Sequence, residues 1–136
     1  MARDYLRRAR LRRRTVEVLM AAGSYPDVVR MSHDVVELVL KGALRFVGAE
    51  PPKRHAVHRV LEHFLERFPQ EWRPALTELR EALDRLAEDR GPAFYGDEEH
   101  DIPASDLFSE ADARRSMDLT DRLLSLYATL LGEGTP

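Results

Sequence analysis

The sequence contains no cysteine. This excludes disulfide frameworks, zinc ribbons and thiol nucleophiles, so a metal site would have to be built from His, Asp and Glu. The sequence also has no apolar run of roughly 18 residues, the length at which a transmembrane helix is predicted. Its amino terminus lacks the apolar block and small-residue cleavage site of a secretory signal. We therefore expect a cytoplasmic protein with no membrane segment.

Lysine is nearly absent, because Lys41 and Lys53 are the only two. The net charge is −3, but residues 1–14 hold seven arginines and Asp4, a local charge of +6 that leaves −9 for the rest of the chain. Four of these arginines share one face of a predicted helix, namely Arg3, Arg7, Arg10 and Arg14. We favour a solvated face, since no interleaved aromatic residues are available to read bases. The alternative is that this stripe attracts RNA, a nucleotide or an acidic partner.

Apolar residues recur with the period of an α-helix along the whole chain, and no alternating run is long enough to require a strand. A length of 136 residues with 43% hydrophobic composition suits one domain and is short for two. Glycine, proline and capping residues predict five helices, which lie before Gly23, from Tyr25 to Gly48, from Val57 to Phe68, from Trp72 to Arg90 and from Ser109 to Gly132. The predicted fold is all-α, an antiparallel up-and-down bundle of four to five helices, with its core at about residues 5–131 and a tail at 132–136.

Between the last two predicted helices lies the segment "GPAFYGDEEHDIPASDLF", residues 91–108. It is rich in glycine, proline and acidic residues, and we expect it to be a long loop. Loops of this length are uncommon in compact domains unless they serve a function. We therefore expect this segment to be functional or to face a partner.

The stretch "PPKRHAVHRVLEHF", residues 51–64, holds three of the five histidines. On a helix His55, His58 and Glu62 would fall within about 60° of each other, so a three-ligand metal site is one interpretation. We favour a structural one, in which His55 serves the start of the helix and His58 pairs with Glu62 on an exposed face. No metal site is predicted.

Three stretches together resemble the HEPN domain, the higher-eukaryote and prokaryote nucleotide-binding family. They are "SHDVVELVLKGAL" (32–44), "GAEPPKRHAVHRVL" (48–61), and "RGPAFYGDEEHDIP" leading to "SEADARRSMDLTDRLLSLYATLL". The resemblance rests on Glu37 with Lys41, on the Pro-Pro-Lys-x-His step, and on Arg90 with Tyr95-Gly96. It implies a helical bundle that pairs into a homodimer, and it places His55 at the start of the third helix rather than on a metal.

Toxic members of this family are ribonucleases with a motif of Arg, four to six residues, and His. No arginine of this chain has a histidine at that spacing; after Arg90 the position is held by Tyr95. Tyrosine is a weak base at neutral pH, because its unperturbed pKa is about 10. The chain therefore resembles the other kind of member, a small non-enzymatic protein that binds nucleotide or works with a minimal nucleotidyltransferase in a two-gene, toxin–antitoxin type of system.

The resemblance implies a nucleotide-binding set that comprises Lys41, Arg90, Tyr95, Glu37 and His55. In it Lys41 and Arg90 meet phosphate, with or without magnesium, and Tyr95 stacks on a base. Two structural alternatives stay open: Glu37 and Lys41 form an ordinary helical ion pair, and Arg90 only serves the end of its helix.

Two other functions also remain open. One is an unconventional ribonuclease that uses Arg90, Tyr95 and His100, and the other is a structural adaptor that recruits a protein through residues 91–108. His33 is expected to be a partly buried structural residue.

Overall fold

The computed structural model describes residues 1–53 and 56–133. Over these residues it contains five α-helices: α1 (Ala2–Ala21), α2 (Tyr25–Phe46), α3 (Val57–Leu61), α4 (Trp72–Tyr95) and α5 (Glu110–Leu130). Short 3-10 helices cover Glu62–Arg67 and Ala104–Asp106. No strand forms in this part of the chain, where the only β-type pairing is an isolated bridge between Asp97 and Ile102. The predicted all-α bundle is confirmed.

Helix α2 is the centre of the bundle, and it packs against α1, α4 and α5. Apolar or small residues occupy nearly every face of α2, and more than half of its residues are buried. Gly42 lets α5 approach closely, because a Cβ at this position would overlap the ring of Tyr127. The Tyr127 hydroxyl donates to the carbonyl oxygen of Ala2, and burial raises the pKa of Tyr127. This contact joins α1, α2 and α5 at one point.

The third predicted helix is α-helical only at its start. Its α-helical portion stops at Leu61 and continues as a 3-10 helix to Arg67, and the prediction of one regular helix to Phe68 is therefore wrong. Ala56, which precedes it, has a left-handed backbone conformation with φ +63°. This conformation is uncommon for a residue with a Cβ atom, and it redirects the chain immediately before α3.

Helix α4 continues past Arg90, through Gly91 and Pro92, to Tyr95. The predicted end at Arg90 is wrong, and residues 91–95 are helical rather than part of a loop. One of the two clashes by which a proline disfavours helical geometry in the preceding residue, that with its Cβ, is absent here because the residue is Gly91. Gly96 ends the helix with φ +75°, and a Cβ there would overlap the Ile102 carbonyl oxygen.

Helix α5 begins with the predicted cap. The Ser109 hydroxyl accepts from the Asp112 N–H at 3.2 Å, and the Asp112 carboxylate accepts from the Ser109 N–H at 2.9 Å, which completes a capping box. The side chains of α5, α4, α3, α2 and α1 share one continuous apolar core. None of the helices described by the structure has the length and hydrophobicity needed to cross a lipid bilayer.

Candidate functional site

The predicted pair on α2 forms as an ion pair. Lys41 Nζ lies 3.5 Å from Glu37 Oε1, and both side chains are about three-quarters buried. The spacing of one helical turn explains the contact. Lys41 is thus a partly buried cation that would have to exchange Glu37 for a phosphate in order to bind a nucleotide.

Glu37 also lines a small cavity between α2, α3 and α4. Its volume is about 20 Å³, which is room for roughly one water molecule. The wall includes two buried histidines, His33 from α2 and His58 from α3, together with Ala56 in its left-handed conformation. The α4 side is apolar and consists of Leu83, Leu86 and Ala87. This arrangement, which we call the polar cavity, brings ionisable groups from two helices together inside the bundle.

His58 is held by α4 and not by Glu62. Only 2% of His58 is exposed, and its Nε2 lies 2.6 Å from Asp84 Oδ1. Arg59 donates to both oxygens of the same carboxylate, at 2.9 and 2.8 Å. These bonds from His58 and then Arg59 hold the pKa of Asp84 below its usual value. The predicted exposed His58–Glu62 pair is wrong, since Glu62 lies 3.3 Å from Arg80 instead.

The change in chain direction at Ala56 and the switch to a 3-10 helix at Glu62 explain this difference, because the spacing of a regular α-helix does not hold across 56–67. His58 and Asp84 are 26 positions apart, so no local pattern could have found their contact. His55 lies outside the described residues, and its predicted role stays a prediction.

His33 and its neighbours form a second polar group. His33, Asp34 and Glu37 place potential ligand atoms within 4.8 Å of each other, the one such group in residues 1–53 and 56–133. Burial opposes ionisation of Asp34, but hydrogen bonding by His33 and the charge of Arg30 outweigh it and lower the pKa. Since Lys41 already contacts Glu37, we assign these side chains to hydrogen bonding and ion pairing. The buried position of His33 agrees with its predicted structural role.

Arg90 and Tyr95 lie on the last turns of α4. The Arg90 Nε is buried and forms no hydrogen bond within the described part of the chain, while the Arg90 carbonyl accepts from Arg30 Nη1 at 3.0 Å. Arg90 lies inside the helix, so its predicted position at the helix end is wrong. Tyr95 is 66% exposed and contacts Phe94 edge-on, with ring centroids 4.7 Å apart. The Arg30 guanidinium lies over the Phe94 ring at 4.9 Å.

Among the described members of the predicted nucleotide-binding set, the Glu37–Lys41 pair and Tyr95 lie at different levels of the bundle. Helices α2 and α4 are antiparallel, so that Arg30 faces Phe94 while Glu37 shares the polar cavity with Leu83. Along the axis of α2, Arg30 and Lys41 are about 16 Å apart. Lys41 with Glu37 and Tyr95 with Phe94 are two separate places along the bundle.

The three residues of the alternative ribonuclease site have other partners within the described residues. His100 lies on a hairpin closed by the Asp97–Ile102 bridge, where its Nδ1 is 2.9 Å from Asp97 Oδ2. Within the described residues no hydrogen bond or ring contact joins Arg90, Tyr95 or His100 to another member of the three. The unconventional ribonuclease therefore stays an alternative without a direct contact among its three residues to support it.

The arginine stripe of α1 mostly binds carboxylates of the chain itself. Arg3 and Arg10 both contact Glu133, at 2.9 and 3.0 Å, and Arg7 contacts Asp4 at 2.9 Å. Arg14 lies beside them and is exposed. These ion pairs favour a structural role in fastening α1 to the end of α5.

The described helices form a small all-α bundle around α2, and the polar cavity lies beside this helix. The model of the HEPN domain family matches residues 2–130, nearly the whole chain, so this chain belongs to the HEPN domain family. No curated protein and no solved structure is significantly similar to it.

Proposed function

We propose that this HEPN protein binds a nucleotide through Lys41 and has no catalytic activity of its own. The observation that supports the proposal is the Lys41–Glu37 pair, a partly buried cation whose carboxylate partner lines the polar cavity. An ammonium held by one carboxylate at 3.5 Å can turn to a phosphate, since lysine binds phosphate as a point charge. The missing Arg and His motif favours binding over RNA cleavage.

Thermal unfolding with a panel of nucleotides, with and without magnesium, tests the proposal. A nucleotide present at a hundred times its dissociation constant should add about 2.7 kcal/mol of stability, which raises the midpoint by several degrees. Lys41→Met should abolish this shift. The matched control is Lys53→Met, because Lys53 is the only other lysine and is exposed.

Removal of Lys41 also leaves Glu37 without this cation, so the double variant Glu37→Gln/Lys41→Met is measured as well. It should keep the stability of the unliganded protein near that of the parent and still show no nucleotide shift. A shift that survives in the double variant, or no shift with any nucleotide, would contradict the proposal.

We further propose that the protein forms a homodimer and works with a minimal nucleotidyltransferase, as the family resemblance implies. Analytical ultracentrifugation of the pure protein tests the first part, and a monomer at micromolar concentration would contradict it. Co-purification with a nucleotidyltransferase encoded beside it tests the second. Purified protein should leave RNA intact, and cleavage that disappears in Arg90→Ala would replace this proposal with the ribonuclease alternative.

A further inference from the structure

A groove runs between α4 and α5 on a face that the nucleotide proposal does not use. Both helices pack more extensively on α2 than on each other, and they leave two adjoining concavities of about 240 and 440 Å³. The two share Arg85, Asp89 and Asp112. Their floor is apolar and consists of Val29, Leu86, Leu119, Leu107 and Phe108. We call this surface the acidic groove.

The acidic groove carries an excess of negative charge. Its lining includes five carboxylates and two guanidiniums, from Glu81, Asp89, Asp97, Glu98, Asp112, Arg85 and Arg115. The adjoining hairpin adds the exposed side chains of Glu99 and Asp101. A phosphate would be repelled here, whereas a cation would be attracted.

The two guanidiniums of the groove are held differently. Arg115 is paired closely with Asp112, whereas Arg85 is held loosely. Arg85 lies 3.9 Å from Asp89 and 3.8 Å from Asp112, at the outer limit of ion pairing, and its side chain is 66% exposed. Burial raises the pKa of Asp89, Arg85 opposes this rise, and the charges of Asp112 and Glu88 reinforce it. The Asp89 carboxylate is therefore only partly compensated, and a second guanidinium beside it would relieve the repulsion.

The far end of the groove is formed by the hairpin that follows α4. Gly96 and Phe108 line it, and the bridge between Asp97 and Ile102 closes the hairpin. Asp97 and Glu98 of this hairpin therefore extend the negative charge of the groove beyond the end of α4.

We propose that the acidic groove binds a basic segment of a partner protein, with an arginine side chain beside Asp89. Asp112 is already bound by Arg115 and by the cap of α5, so the planar guanidinium contacts the Asp89 carboxylate. Apolar side chains of the same segment cover the floor over Val29 and Leu119. A small polycation would leave that floor exposed, which favours a polypeptide. Lys41 does not line the groove, so this inference stands or falls independently of nucleotide binding.

Fluorescence anisotropy with a short labelled peptide of arginine and leucine tests the inference on the full chain, with the same peptide bearing glutamate for arginine as the negative probe. Asp89→Asn should weaken binding about tenfold, the equivalent of about 1.4 kcal/mol. This variant is expected to fold, because it removes a carboxylate whose ionised form is disfavoured by burial. Glu66→Gln removes one exposed carboxylate elsewhere and should leave the affinity unchanged.

A second pair of variants separates a specific position from general charge attraction. Arg85→Gln removes the competing guanidinium and should tighten binding several-fold, whereas Arg73→Gln removes an exposed arginine outside the groove and should have little effect. Equal effects of Arg85→Gln and Arg73→Gln would overturn the proposal. Equal affinity in Asp89→Asn and the parent, or full displacement of the peptide by spermine at equal concentration, would also overturn it.

Discussion

Two aspartates of α4 show how position on one helix decides the role of a side chain. Asp84 accepts hydrogen bonds from His58 and Arg59, which lower its pKa. Asp89 lies in the acidic groove, where burial and neighbouring carboxylates raise its pKa. The charged carboxylate of Asp84 therefore stabilises the fold, whereas the charged carboxylate of Asp89 destabilises it.

Substitution of each aspartate by asparagine should therefore change stability in opposite directions at neutral pH. Asp84→Asn should lower the free energy of unfolding by about 1–2 kcal/mol, because His58 and Arg59 lose a charged acceptor. Asp89→Asn should raise it, by no more than about 1 kcal/mol for a partly exposed carboxylate.

The two carboxylates should also differ in how their contribution to stability depends on pH. The pKa of Asp84 is lower in the folded than in the unfolded protein. Its carboxylate therefore stabilises the fold at pH values above the unfolded pKa of about 3.9, and this contribution is lost as the pH falls through the folded pKa. The pKa of Asp89 is higher in the folded than in the unfolded protein. Its carboxylate therefore destabilises the fold at pH values above the folded pKa and has no effect on stability below about pH 3.9. Urea unfolding of both variants from pH 7 to pH 3 measures this, and a loss of stability in both at pH 7 would contradict it.

Gly42 provides a second prediction for a single residue. Gly42→Ala should destabilise the protein by about 1–3 kcal/mol, since the added methyl group overlaps the Tyr127 ring in a packed core. In a Tyr127→Leu background the same change should cost much less. Denaturant unfolding of the four proteins forms a double-mutant cycle, and additive losses would show that the ring is not the cause.

Among the helices, α5 and α2 begin in different ways. Both have serine at the N-cap. The Ser109 hydroxyl accepts a hydrogen bond from the backbone N–H of Asp112, whereas the Ser24 hydroxyl donates to the Asp27 carboxylate and caps no backbone N–H. A backbone donor that loses its acceptor is the source of the cost when a cap is removed.

Ser109→Ala should accordingly lower the free energy of unfolding by about 1 kcal/mol, and Ser24→Ala by clearly less. Urea midpoints at unchanged slope provide the measurement. Equal losses in the two variants would mean that the capping box adds nothing beyond a serine at the helix start.

For the whole molecule, one apolar core joins all five α-helices of the described residues. Such a core should unfold in a single cooperative step. Trp72 is 1% exposed and is the only tryptophan, so its fluorescence reports on the core, while far-UV circular dichroism reports on every helix. The two thermal transitions should coincide. An earlier circular dichroism transition would show that a helix such as α1 melts separately.

The fold could be predicted from the sequence because its determinants are local. Helical periodicity, the Ser109 cap and the Glu37–Lys41 spacing depend on residues within a few positions of each other, and the structure confirms each of them. The predicted end of α4 is wrong because it treats Gly91 and Pro92 as stop signals, whereas the helix continues through them to Tyr95. The contact of His58 with Asp84 depends on how α3 lies against α4, and no nearby pattern encodes that.

The ion pairs of α1 also bring the first few and the last described residues of the chain close together. Arg3 contacts Glu133, and the Tyr127 hydroxyl reaches the Ala2 carbonyl, so residues 2 and 133 lie at the same corner of the bundle. A short linker could join these positions, and the hairpin between Asp97 and Ile102 offers a place to open the chain without cutting a helix. A circular permutant opened between Glu99 and His100 would keep all five α-helices continuous while releasing the acidic hairpin, and so would separate the part played by that hairpin from the part played by the bundle.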